Sequence, residues 1–182
     1  WVNEQKLSAF VFTSNVDGHF QQSGFPAHSI NECHGSLMHL QCIDPCGHKI
    51  WPVDPEMRID IDEKTLLARR PLPACPGCGG LARPNILMFS DWGWDPERTN
   101  GQSKRLDQWL LENGDSGLCM IELGAGASIP TVRLTCEDIW KSTGGTLLRI
   151  NPRDPEVPEG AYSLPMGAED ALRAIEAVMT GG

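Results

Sequence analysis

The chain has 182 residues, 40% of them hydrophobic and 21% charged, with a formal net charge of −9. That length suits one domain, or one domain carrying a small insert, with enough apolar material to bury a core. The acidic balance argues against a nucleic-acid backbone as partner, since phosphate neutralisation needs clustered Lys and Arg, and no apolar run approaches the roughly 20 residues of a bilayer span.

The chain opens on Trp1, not Met, and shows no basic-then-apolar signal pattern, so it reads as a processed or truncated piece. Residues 8–13, within KLSAFVFTSN, are apolar and β-favouring and predict a buried strand; VDGHFQQSG predicts a short helix closed by Gly24. Asn15 and Asp17 then lie at the C-terminal end of a strand, the edge at which open α/β sheets bind ligands. From about residue 40 to 84 the character changes to four paired cysteines, several prolines and the acidic tract DPEMRIDIDE, which reads as a small irregular module.

After residue 85 the pattern becomes regular again. NILMF predicts a strand, and SKRLDQWLLEN a helix with Leu106, Trp109 and Leu110 on one face and Gly114 as a stop. GLCMIEL predicts a strand; PTVRLTCEDIW a helix started by Pro130 and Thr131, with Val132, Cys136, Ile139 and Trp140 as its stripe; GTLLRIN another strand. The last helix, about 168 to 179, aligns Ala171, Leu172, Ile175, Val178 and Met179 as a core face. Short apolar strands alternating with amphipathic helices predict an α/β fold with a parallel sheet covered by helices on both faces.

Seven cysteines are an odd number, unevenly spaced. Cys42 and Cys46 form a C-x3-C pair and Cys75 and Cys78 a C-x2-C pair, while Cys33, Cys119 and Cys136 stand alone. Two close pairs of soft ligands, each followed by a glycine (Gly47 and Gly79), predict a four-thiolate Zn2+ site. His39 and His48 flank it but are not needed as ligands. A closed four-thiolate shell leaves no position for water or substrate, so the metal is structural and the chemistry lies elsewhere. With no signal pattern, paired and lone thiols together suit a reducing cytoplasm.

Taken together, TSNVDGHFQQSG, ECHGSLMHLQC, the two cysteine pairs and CGGLARPNILMFSD resemble the sirtuins, the NAD-dependent protein deacylases. The family pattern is Thr-Gln-Asn-(Ile/Val)-Asp, then Glu-Leu-His-Gly with a cysteine eight residues past the histidine, a four-cysteine module, and Gly-x-(Leu/Ile)-(Arg/Lys)-Pro-x-(Val/Ile)-Val-x-Phe-Gly-Glu. Order and local spacing hold from Thr13 to Asp91, and a weaker likeness runs through IELGAGASIPTVR and LLRINP to the last helix. The resemblance implies a Rossmann-like NAD-binding domain from residues 1–38 and 85–182, with a zinc-binding module at 39–84. It implies NAD as co-substrate and an acylated lysine of a protein or peptide as partner, with neither nucleic acid nor membrane. It also implies His34 as the general base that takes a proton from the nicotinamide ribose, with Ser14, Asn15 and Asp17 lining the nicotinamide pocket. Leu87 and Phe89 match the strand against which an acyl-lysine peptide pairs, and Gly124, Ala125 and Gly126 the loop under the adenosine. Asn151 matches a hydrogen-bonding partner of the adenine ribose.

Three departures qualify the likeness. Ser14 stands where the family has glutamine, and FSD at 89–91 where it has Phe-Gly-Glu. GAGAS at 124–128 replaces a Gly-Thr-Ser loop and loses its hydroxyls. Nothing before Thr13 matches the family's Gly-Ala-Gly-x-Ser pyrophosphate loop, so that loop is expected upstream of Trp1 and the 182 residues alone are expected to bind NAD weakly. Two other functions stay open at this point: an ADP-ribosyltransferase or NAD glycohydrolase, and a non-catalytic zinc-stabilised interaction module.

Overall fold

A computed structural model of the chain describes residues 8–181. They fall into two compact units, the first reaching to Asp107 and the second starting at Gln108.

The first unit carries β1 (Val11–Thr13), α1 (His19–Gln22), β2 (Ile30–Glu32), β3 (Gly35–Cys42), β4 (Trp51–Pro52), β5 (Ala82–Ile86) and the start of α2 (Glu97–Asn113). β1 and β2 pair in parallel, Thr13 opposite Glu32, whereas β4, β3 and β5 form an antiparallel sheet in that order. That second sheet went unread in the sequence. Its long strand buries Gly35, Ser36, Leu40, Gln41 and Cys42 but exposes Leu37 and Met38, with a register shift between Ser36 and Leu40, so no period of two shows. The strand expected over NILMF lies earlier, at Ala82–Ile86, and Leu87 and Phe89 follow its end. α2 begins two turns before the expected SKRLDQWLLEN, because the Asp95 carboxylate caps the Glu97 N–H at 2.9 Å and Pro96 opens the first turn.

Gly35, immediately after His34, adopts φ +84, and a Cβ built on it would stand 2.0 Å from the Asn85 carbonyl oxygen. Only glycine fits where β3 crosses β5 this closely. Gly35→Ala is expected to destabilise the protein by roughly 2–4 kcal/mol, read as a fall in the urea midpoint at unchanged slope.

The second unit carries β6 (Cys119–Leu123), α3 (Thr131–Thr143), β7 (Thr146–Ile150), β8 (Tyr162–Leu164) and α4 (Ala168–Thr180). Its strands are all parallel, ordered β6-β7-β8; β6 and β7 are the strands that the alternating pattern predicts, and β8 went unread. Ile150, Leu147 and Ala171 are fully buried. α4 departs from its expected stripe: Ala171 is core, but Val178 is 82% and Met179 58% exposed. No helix among the described residues is long and apolar enough to cross a membrane.

Candidate active site and metal centre

The four paired cysteines converge. Their sulfurs all lie within 4.8 Å of one another, with Cys42 to Cys78 and Cys46 to Cys75 each 3.6 Å apart. Four sulfurs around a tetrahedral zinc, each about 2.3 Å from it, stand about 3.8 Å apart, so this group has the size of a Zn2+ shell. Cys42 closes β3 and Cys78 precedes β5, so the metal position clips the ends of two paired strands. Gly47 and Gly79, each directly after the second cysteine of its pair, take φ +82 and +72, the turn that glycine alone enters freely. The Gly80 N–H donates to the Cys78 sulfur at 3.4 Å. Burial pushes the Cys42 thiol up to about 12. At Cys75 burial also pushes upward, but the Cys78 and Gly77 amides and the neighbouring thiols outweigh it and bring the thiol down to about 7. Among the described residues no histidine joins the group; His48 instead packs edge-on to Trp51, ring centroids 5.2 Å apart.

Around His34 the backbone is stitched on both sides to the loop after β1. Cys33 N–H donates to the Thr13 carbonyl at 2.9 Å, and Leu37 N–H to the Val16 carbonyl at 2.8 Å. Ser14 and Asn15 thus sit between the two anchors on one strand end, and His34 between them on the other. Asn15 is exposed, its N–H held by the Thr13 hydroxyl at 3.1 Å. Asp17 accepts the His19 N–H at 3.0 Å and lies 3.6 Å from the His19 imidazole. Leu87 N–H donates to the His34 carbonyl at 3.0 Å, which ties the segment after β5 to the histidine.

Two buried polar networks hold this arrangement, and the sequence signalled neither. Glu32, 1% exposed and two residues before His34, receives the Arg98 guanidinium; its N–H donates to Gln102 at 3.1 Å and its carbonyl accepts the Thr99 hydroxyl at 3.2 Å. The Asn85 amide donates to Gln41 Oε1 and to the Asp95 carbonyl, both at 2.9 Å, and Gln41 donates to the Gly93 carbonyl at 2.7 Å. Polar letters inside short strands look like surface until their partners, here 10 to 70 residues away, are known.

Beyond Leu87 the chain turns at Met88–Asp91, with Phe89 86% and Trp92 97% exposed. Asp91 binds Arg83 at 2.8 Å and receives the Met88 and Gly93 N–H groups. The Arg83 guanidinium holds its carboxyl below the usual carboxylate range against the opposing effect of burial. A carboxyl so depressed steadies the turn above the ordinary carboxylate range and releases it as pH falls below that range. The Met88 and Gly93 amide resonances are therefore expected to titrate at acid pH, and in Asp91→Asn to stay flat. Ser90 adopts φ +56, a left-handed conformation that costs a side chain roughly 1–2 kcal/mol. Ser90→Gly is expected to raise stability by up to about 1 kcal/mol in denaturant unfolding, after the entropy that glycine forfeits.

In the second unit the turn after β6 carries Gly124, Ala125 and Gly126. Gly124 N–H donates to the Ile150 carbonyl at 2.9 Å. A Cβ built on Gly124 or Gly126 would meet nothing within 4 Å, so one side of this turn is open. Asn151 is 4% exposed and largely committed: its Nδ2 donates to the Ala125 carbonyl at 3.0 Å, and its Oδ1 accepts the Arg153 and Asp154 N–H groups at 2.9 and 3.1 Å.

A family model described as the Sir2 family matches residues 1–106. NAD-dependent protein deacylase 2 of Pseudomonas aeruginosa is 32% identical over 160 residues, covering 87% of this chain and 54% of that protein. NAD-dependent protein deacylase of Aeropyrum pernix is 28% identical over 172 residues, covering 91% and 56%. The chain thus spans about half the length of the curated relatives it matches. A probable bifunctional ADP-ribose hydrolase/ADP-ribosyltransferase of Fusarium oxysporum is 28% identical over 158 residues, covering 82% of this chain and 26% of that protein. Among solved structures, a Sir2 complex with a p53 peptide and NAD+ superposes with TM-score 0.63 at 26% identity, covering 98% of this chain and 67% of that one. Sir2Tm bound to a propionylated peptide superposes with TM-score 0.62 at 26% identity, covering 97% and 67%.

Proposed function

The chain belongs to the Sir2 family, and from that premise we propose that it works as an NAD-dependent protein lysine deacylase, moving the acyl group of an acylated lysine to ADP-ribose with release of nicotinamide. The observation that carries this reading is the pair of backbone bonds that set His34 against Ser14 and Asn15, with Leu87 tied to the same histidine.

NAD, when bound, supplies the ribose carbon that accepts the acyl oxygen and the hydroxyl that must lose its proton. We assign that proton to His34, whose imidazole is the side-chain type suited to general-base work near neutrality. Ser14, Asn15 and Asp17 line the nicotinamide end, Asp17 through its carboxylate. Leu87 and Phe89 present the side along which an acyl-lysine peptide lies by strand addition. In the second unit Gly124, Ala125 and Gly126 leave open room for the adenosine, and Asn151 retains one amide hydrogen for its ribose. We assign residues 39–84 as the zinc-binding module and 1–38 with 85–182 as the NAD-binding domain. A cytoplasmic home fits the seven thiols, none of which is in a disulfide.

A second reading is favoured by one observation, the similarity to the Fusarium protein, which is named a probable bifunctional ADP-ribose hydrolase/ADP-ribosyltransferase. Ser14 and the FSD turn are where acceptor choice could shift from an acyl oxygen to a protein side chain. Mass spectrometry after incubation of the full-length protein with NAD and an acetyl-lysine peptide separates the two. Acetyl-ADP-ribose with unmodified lysine is the expected product; ADP-ribose attached to protein, with the acetyl group intact, would overturn the deacylase reading.

A further inference from the structure

We propose that the buried charge cluster of Glu122, Arg149, Glu137 and Arg133 is a positioning device that holds the 124–128 turn in its nucleotide-receiving shape. Glu122 and Arg149 are register partners on β6 and β7, the last but one pair of a parallel ladder, and are 2% and 1% exposed. Such positions ordinarily take branched apolar residues. Here Arg149 Nε donates to Glu122 Oε1 at 2.6 Å, and its Nη2 to Glu122 Oε2 and to Glu137 Oε1 on α3, both at 2.9 Å. Its Nη1 donates to the Glu156 carbonyl in the loop after β7.

Arg133, on α3, stands 4.0 Å from Glu122 and carries the same field outward. Its Nε donates to the Ala125 carbonyl at 3.0 Å and its Nη2 to the Asp154 carbonyl. The Ala125 carbonyl therefore receives two donors, Arg133 from α3 and Asn151 from the end of β7. Two carboxylates and two guanidinium groups balance, and every bond that leaves the cluster for backbone ends on a loop after β6 or β7. Those loops lie at the carboxyl ends of the strands, where sheets of this type take their ligands.

The physical argument turns on cost. A buried ion pair exchanged for apolar residues of similar volume usually leaves stability unchanged or raised, because two charges no longer forgo water. A pair retained in this place is accounted for by what its fixed directions do to the two loops. Only the last step, that the turn receives a nucleotide, rests on the function proposed above; the holding of the turn is measurable with no nucleotide present.

The test uses the full chain with the paired exchange Glu122→Val and Arg149→Ile. Its thermal midpoint is expected to equal or exceed that of the parent, while amides of residues 124–128 and 151–156 exchange hydrogen about tenfold faster. Affinity for ADP-ribose is expected to fall about tenfold in titration calorimetry. Arg133→Met, which leaves the β6–β7 pair intact, is expected to quicken exchange at 124–128 alone. A lowered midpoint with loop exchange unchanged in both variants would make the cluster a structural pair and overturn the proposal. If the full-length parent protein itself gives no heat with ADP-ribose, the nucleotide reading fails, and the exchange data alone decide the holding role.

Discussion

Stripping the metal, by chelation or through Cys75→Ser, is expected to unfold residues 43–81. Between Cys42 and Ala82 the regular structure consists of the two-residue β4 and the isolated bridges Ile61↔Ala68 and Ala74↔Leu81. Leu66 and Leu67 are 77% and 68% exposed, and Ile59 and Ile61 are close to half exposed. Ordering backbone costs roughly 1–2 kcal/mol per residue, and a segment with so little buried apolar surface cannot recover it from packing. A structural zinc supplies roughly 10–16 kcal/mol in small domains of this kind. Hydrogen exchange is expected to lose protection across 43–81 on chelation and to persist along β6 and β7. Because Cys42 pairs with Ala82 and Gly35 with Ile86 on the same two strands, fraying is expected to travel toward His34 and to abolish turnover. Full protection of 43–81 in protein shown to be metal-free would contradict the clip.

His34→Ala is expected to slow deacylation by about 10²–10⁴-fold while leaving the unfolding midpoint close to that of the parent. The separation of effects follows from the geometry. Backbone contacts help to place this residue, namely Leu87 N–H to the His34 carbonyl and the flanking bonds from Cys33 and Leu37. Truncating the side chain leaves all of them standing. Gly35→Ala makes the complementary case, since it preserves the imidazole and displaces its support. Steady-state rates of the two variants, read beside their denaturation curves, distinguish loss of a base from loss of its mounting; an undiminished rate in His34→Ala would remove His34 from the chemistry.

What could be read in the sequence was what chemistry keeps local. Cys42, Cys46, Cys75 and Cys78 announced a metal because ligand pairs must come from single turns, and their sulfurs do converge. The parallel second unit was legible because β6 and β7 are short apolar runs set between amphipathic helices, although β6 itself is largely exposed. The neighbourhood of His34 was not: Asn15 and His34 are far apart in the chain, and only the resemblance joined them before the bonds from Cys33 and Leu37 did. β3 hid behind an irregular ladder with Leu37 and Met38 turned to solvent. Glu32, Gln41, Asn85 and Arg149 hid for another reason. A buried polar residue is defined by a partner on another element, and the letters carry no trace of that partner. In α4 the fault ran the other way, a regular apolar stripe that ends in exposed Val178 and Met179.

The ratio of nicotinamide released to lysine deacylated, measured on the full-length protein with NAD and an acetyl-lysine peptide, bears most directly on His34 as the base of an acyl-transfer site. One nicotinamide per lysine, with no release when the peptide is withheld, is the predicted result. Nicotinamide released without the peptide, or with its acetyl group still in place, would contradict it.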